Sequence, residues 1–171
     1  MAEFKPAFEK MIRNEGGYIL HQISGDKGGQ TYAGIARNYH PNWPGWRFLD
    51  AGDLDDPELT AQVRDFYKNN FWDKIKCSQI EKQAVAETLF DFATNAGYRT
   101  AAKLAQLVVD TTPDGIIGAK TLSQLNQVEE YDFNLRYALA KIARYAQIVN
   151  QDRSQNKFLL GWINRTLKGV A

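Results

Sequence analysis

"NEGGYILHQISGDKGGQTYAGI", Asn14 to Ile35, is the stretch on which the fold turns. Upstream of it Phe4, Ala7, Phe8, Met11 and Ile12 recur at helical spacing, with Pro6 tolerable in the first turn, so the chain opens on an amphipathic helix. Glu15 is the next residue on that stripe. Gly16 and Gly17 then supply the left-handed backbone that stops a helix. The run to Ile35 is punctuated by glycines, and Tyr18-Ile19-Leu20 and Thr31-Tyr32-Ala33 have the length and composition to pair as a small hairpin.

Further along, "HPNWPGWR" from His40 to Arg47 reads as an irregular aromatic loop. In "DLDDPELT" an aspartate and a proline suit the start of a helix running through Val63, Phe66, Tyr67 and Phe71. Polarity rises briefly over Ser78 to Lys82, which divides the chain into an N-terminal lobe, 1–80, and a C-terminal lobe, 81–171. Val85, Leu89, Phe92 and Ala96 then describe one helix face that ends at Gly97, and Ala101 to Val109 makes another. "TTPDGIIGAKTLSQLN" is a turn followed by a helix, Tyr131 to Val149 is a long aromatic-striped helix, and Lys157 to Leu167 closes the chain. The expected class is mainly α, with a small glycine-rich β-hairpin region in the N-terminal lobe and a helical C-terminal lobe.

Composition narrows the function classes. With 171 residues, 44% of them hydrophobic and 12% aromatic, the chain can bury a core of its own. A net charge of +1, evenly divided along the chain, gives no electrostatic basis for binding nucleic acid. No stretch approaches the length of a membrane span, so no membrane insertion is expected. Cys77 stands alone and reads as a small buried hydrophobe, while His21 and His40 are too few for a cysteine/histidine zinc site. Asp110, Thr112, Asp114 and Gly115 start a calcium-loop template, but Thr121 stands where its bidentate glutamate belongs. "SGDKGGQT" lacks the lysine of a phosphate loop, which Gln30 replaces. Neither a metal nor a cofactor is expected. The N-terminus lacks the basic start and apolar core of an ordinary secretory signal.

Glu15 has the setting of a general acid. Desolvation on an apolar stripe and the negative end of a helix dipole both raise a carboxyl pKa, and a carboxyl protonated near neutral pH is what glycoside cleavage needs. Asp26 is the natural second carboxylate; in an inverting hydrolase it would deprotonate water on the far side of the sugar, about 6.5–9.5 Å from the acid. Thr31 could hold that water by its hydroxyl. The plainer alternatives are a Glu15 ion pair with Arg13 or Arg37, Asp26 as a turn residue, and Thr31 as a strand residue. The residues alone leave both sets open.

The glutamate, two glycines and tyrosine of Glu15 to Tyr18, followed by the aspartate-containing glycine loop, Thr31 and Gly34-Ile35, resemble the N-acetylmuramidases of glycoside hydrolase family 108. That resemblance implies a lysozyme-like fold, with Glu15 as catalytic acid and Asp26 and Thr31 as its hairpin partners. Members of the family often have proline where Lys27 stands and an asparagine or similar polar residue near Gln30, so this loop is expected to be set differently. "LFDFATNAGYRTAAKLAQ", "DGIIGAKTLSQLN" and "FLLGWINR" resemble the predicted peptidoglycan-binding domain that accompanies this enzyme, with Asp91, Asn95 and Gly97 and the Asp114-Gly115, Gly118, Thr121 turn fitting its pattern. Taken singly, those residues read as structural.

The resemblance implies hydrolysis of the β-1,4 bond between N-acetylmuramic acid and N-acetylglucosamine in peptidoglycan strands. Gly16, Gly17, Tyr18, Gly29 and Asn95 become candidate substrate contacts. Tyr39, Trp43, Trp46 and Tyr98 are candidate platforms for sugar faces, whereas Phe92, Tyr137, Tyr145 and Trp162 fall in helical patterns and read as core. Two other readings compete: a lytic transglycosylase using Glu15 alone, and a noncatalytic wall-binding or secretion-accessory module. In each, a protein made in the cytoplasm acts on the wall, reaching it through a holin or a dedicated export system.

Overall fold

The side chains expected to drive the first helix are the ones it buries. A computed structural model describes residues 1–14, 16–22 and 28–169. In it, helix α1 (Phe4–Asn14) sinks Ala7, Phe8, Met11 and Ile12 into the core. A three-stranded antiparallel sheet follows, built from β1 (Leu20–Gln22), β2 (Gln30–Tyr32) and β3 (Ile35–Ala36) in that order. The first strand lies two residues later than the sequence pattern placed it and the second one residue earlier: Leu20 pairs with Tyr32, and Tyr18 and Ile19 precede the strand.

The β2–β3 turn holds Ala33 and Gly34 at φ +48° and +81°, the positive pair that a tight two-residue hairpin requires. Only glycine fits at the second position, because a Cβ on Gly34 would sit 2.5 Å from the Tyr67 hydroxyl. That hydroxyl donates to the Ala33 carbonyl at 2.8 Å and so ties the sheet to the next helical layer.

Helix α2 (Trp46–Ala51) replaces the end of the expected aromatic loop, and α3 (Pro57–Tyr67) starts where Asp56 caps it, accepting from the Glu58 N–H at 2.8 Å. The expected continuation to Phe71 is a π-helical turn, Lys68–Trp72. It directs Trp72 inward, where its ring meets Phe4 and Phe90 edge-on, each at 5.5 Å.

The helices α4 (Gln83–Ala96), α5 (Tyr98–Val108), α6 (Ala119–Gln127), α7 (Glu130–Gln151) and α8 (Asn156–Lys168) complete the order. Gly97, at φ +85°, ends α4 and begins α5 in one residue, so α5 starts earlier than its apolar pattern. Buried residues from Ala2 to Tyr145 form one contiguous hydrophobic cluster. The stretch between Ser78 and Lys82 is anchored on both sides: the Ala2 N–H donates to the Ile80 carbonyl at 2.6 Å, and Asn126 on α6 bonds Glu81 N and Gln79 O at 3.0 and 3.1 Å. Cys77 is fully buried, and burial pushes its thiol well above the ordinary range. Among the described residues no helix is long and apolar enough to cross a membrane.

Candidate active site

The end of α1 is a Schellman closure: the Gly17 N–H donates to the Ile12 carbonyl at 2.9 Å and the Gly16 N–H to Arg13 at 3.3 Å, with both glycines near φ +90°. No described atom lies within 4 Å of where a Cβ on either glycine would be. Glu15 and Asp26 both lie outside the described residues.

Thr31 is described. It sits mid-strand in β2, half-buried, opposite His21 on one side and Ala36 on the other. Its hydroxyl reaches the Gly29 carbonyl only at 3.5 Å, a weak contact that leaves oxygen lone pairs for a water. Arg37, one of the two cations considered as a Glu15 partner, forms a two-pronged bridge to Asp50, both N···O distances 2.7 Å, and also donates to Gln30. Asp50 in turn is held below the usual carboxylate range, chiefly by that hydrogen bond from Arg37.

Asn14, the last residue of α1, lines a cleft of about 370 Å³ whose other walls come from α4, α7 and α8. Lys10 bridges Glu87 across it at 2.9 Å, and Arg165 on α8 bridges Asp91 on α4 at 3.0 Å. These two pairs join the first helix and the last to one face of α4, a turn apart.

The aromatic expectations divide. Trp43 and Trp46 are largely buried, 7% and 4% exposed, and pack in the core, with Trp43 also bordering a surface groove. Their rings pack edge-to-face at 5.0 Å, and their indole N–H groups donate to the Gln62 and His40 carbonyls. Gly45 makes this possible, since a Cβ there would overlap the Trp43 ring. Tyr39, by contrast, is 66% exposed and borders a shallow groove with Asn42, Asn69 and Asn70. Tyr18 and Asn95 are exposed and Gly29 and Tyr98 half-buried; Asn95 donates to the Asp91 carbonyl at 2.8 Å. Phe92, Tyr137 and Tyr145 are buried, as their helical pattern required, while Trp162 is half-buried against the same core.

One functional-looking motif has a structural explanation centred on a residue the sequence reading passed over. Gln106, on α5, is 1% exposed. Its amide N–H₂ donates to Asp114 Oδ1 at 2.7 Å and the Ile116 carbonyl at 3.0 Å, while its oxygen accepts from the Gly115 N–H at 2.8 Å. Thr121 closes the cluster through a 3.3 Å hydroxyl contact with Thr111. The Asp-Gly-x-x-Gly-x-x-Thr turn is thus a polar clasp around one buried glutamine. A glutamine beside Ala102 and Ala105 on an otherwise apolar face was the readable signal.

Residues 8–97 match the family described as glycosyl hydrolase 108. The chain belongs to that family. This glycosyl hydrolase 108 protein is accordingly a glycoside hydrolase, and residues 99–167 match a second family, the predicted peptidoglycan domain. Together they imply peptidoglycan hydrolysis. The structure of SagA from Brucella abortus is similar over 98% of this chain and 91% of that one, with TM-score 0.74 at 26% identity. No curated protein matches. The cleft at the end of α1 is walled by both matched segments: Lys10, Glu87 and Asp91 belong to the hydrolase part, Lys141 and Arg165 to the peptidoglycan part.

Proposed function

We infer that this glycosyl hydrolase 108 protein is an N-acetylmuramidase, cleaving the β-1,4 bond between N-acetylmuramic acid and N-acetylglucosamine at the cell wall. The observation that carries the reading is the end of α1: a glycine closure clear of other described atoms, following directly on Asn14, which lines a cleft walled by both the hydrolase and the peptidoglycan segments. Glu15 falls in the sequence between Asn14, which lines that cleft, and Gly16, which begins the closure.

In this mechanism Glu15 protonates the leaving glycosidic oxygen as the C1–O bond breaks, and positive charge develops on the muramic acid ring. Asp26 either removes a proton from the attacking water or stabilises that charge. Thr31, from the middle of β2, orients the water. The peptidoglycan segment supplies the opposite wall, which holds the strand.

The test is digestion of purified peptidoglycan by the wild type and Glu15→Gln in parallel, with fragments identified by mass spectrometry. Fragments ending in reducing N-acetylmuramic acid are expected from the wild type and lost with the variant. Anhydro ends would convert the assignment to a lytic transglycosylase. Wild-type rates from Glu15→Gln would remove Glu15 from the chemistry.

A further inference from the structure

Lys141 lies on the inward stripe of α7, one turn from Tyr137 and one from Tyr145, and is only 6% exposed. Its ammonium rests over the rings of Phe92 and Tyr137, at 5.6 and 5.5 Å, and has neither a hydrogen bond nor an ion pair among the described residues. An ammonium withdrawn from water needs more than this, since cation–π contacts return less than the effective penalty for burying an ion. Burial accordingly lowers its pKa, with the Asp91 carboxylate acting the other way. Asp91 itself is engaged by Arg165.

Lys141 is also shared by two cavities. It lines the cleft at the end of α1 and a second one of about 230 Å³, bordered by Asn95, Arg144 and Trp162, and the two have Asp91, Lys141 and Arg165 in common. Around the larger cleft the described residues present four cations, Lys10, Lys141, Arg165 and Lys168, to two carboxylates, Glu87 and Asp91. A buried cation lacking an anion, in a cleft with cations in excess, fits a negatively charged ligand.

The substrate class limits which anion that is. The sugar rings of a peptidoglycan strand and their N-acetyl groups are neutral. Its negative charge is carried on the lactyl arm of muramic acid, either as the arm's own carboxylate or as the carboxylates of an attached peptide stem. We propose that Lys141, with Lys168 at the rim, forms a subsite for a carboxylate borne on the lactyl arm of muramic acid. This rests on the peptidoglycan reading of the cleft and deepens it: the wall contributed by the peptidoglycan segment recognises the charged substituent, not the sugar.

The experiment measures binding of three soluble probes to the full chain by calorimetry: N-acetylmuramic acid, N-acetylmuramyl-L-alanyl-D-glutamate, and the neutral diamide of that glutamate compound. The wild type is expected to bind the glutamate compound at least tenfold more tightly than its diamide. Lys141→Met is expected to abolish that preference and Lys141→Arg to keep most of it. Lys168→Ala, at an exposed position, is expected to reduce it severalfold, and decides the matter if Lys141→Met does not fold. Binding of N-acetylmuramic acid tighter than that of the glutamate compound, whose lactyl carboxyl is tied up in the amide to L-alanine, would assign the arm's own carboxylate; weaker binding assigns the stem. No preference in the wild type for either acid over the diamide, or a preference untouched by Lys141→Met and Lys168→Ala, overturns the subsite. Binding is read without turnover, so the two readings fail separately. Discrimination by a protein that releases no sugar fragments would sink the muramidase alone, and cleavage without discrimination would sink the subsite alone.

Discussion

The turn after α1 and the turn before α6 both set glycines at positive φ next in sequence to an acidic residue, Gly16 and Gly17 after Glu15, Gly115 after Asp114. At the first, the space where side chains would project is clear of described atoms; at the second, a Cβ on Gly115 would meet the Arg99 carbonyl at 3.2 Å and the Lys103 side chain at 3.3 Å. Asp114 has its carboxylate committed to Gln106 and to the Ile116 N–H. Identical backbone requirements therefore serve different ends. A glycine turn clear of described atoms and next in sequence to a cleft residue suits a ligand, and one filled by its own protein is a fastener.

If that contrast is right, substitutions in the first turn should alter activity and those in the second should alter stability. The largest effect falls on Glu15→Gln: a general acid contributes about 10²–10⁴-fold, so muropeptide release should drop by that order. Its unfolding free energy should stay within about 0.5 kcal/mol of wild type if the carboxyl serves chemistry and not the fold. Chemical denaturation alongside the digestion assay checks both; a variant that is inactive because it is unstable would break the contrast.

Next in size is Gln106→Ala. It strips the Gly115 N–H and the Ile116 carbonyl of their partner in a buried setting, and unmet groups of that kind put the loss at about 2–4 kcal/mol. Specific activity of the fraction still folded at low temperature should be that of the wild type. A Gln106→Ala protein of full stability but poor wall affinity would instead make the clasp a binding site.

How far such roles can be read from sequence depends on whether the deciding contact is local. Helical periodicity placed α1 and α4 from Phe8, Met11, Leu89 and Phe92 because each needs only a common core to face. The glycine stop at Gly16-Gly17 was equally local. The burial of Trp43 was not, since it depends on the bare Cα of Gly45 and on a carbonyl from α3, and so two tryptophans in a polar loop resembled sugar platforms. The π turn at Lys68–Trp72 has no periodicity of its own to announce it. Gln106 and Lys141 are a third case: each is a polar residue on an apolar stripe, a signal present in the sequence whose meaning comes from partners that only the fold brings near. Of the expected catalytic set, Thr31 has a described position, on the strand that faces β1 and β3.

A smaller effect sharpens the contrast through glycine itself. Gly17→Ala and Gly115→Ala both force alanine to positive φ, at about 1 kcal/mol or somewhat more. Gly115→Ala must also displace a backbone carbonyl and a lysine chain, and should be the costlier of the two by about 1 kcal/mol in urea unfolding. Equal losses would mean that the second turn yields as readily as the first.

The smallest effect is a matter of pH. Asp114 is held below the ordinary carboxylate range, first by the hydrogen bond from Gln106 and then by the Ile116 N–H. A carboxylate whose folded pKa is depressed takes up its proton more readily in the unfolded chain, so its contribution is complete above the unfolded value of about 3.9 and fades as pH falls through the lower folded value. Asp114→Asn removes that charge-dependent part. The stability difference between wild type and Asp114→Asn should therefore be constant from neutrality to about pH 5 and shrink below about pH 4, with the wild type the more stable protein over the plateau. Denaturant midpoints at closely spaced acidic pH values would trace it. Asp26→Asn, in the glycine-rich stretch before β2, should show no matching convergence if that aspartate serves chemistry instead of the fold, and its loss should appear in the rate of wall digestion; a pH-dependent stability gap of the same shape at both positions would erase the distinction between the two turns.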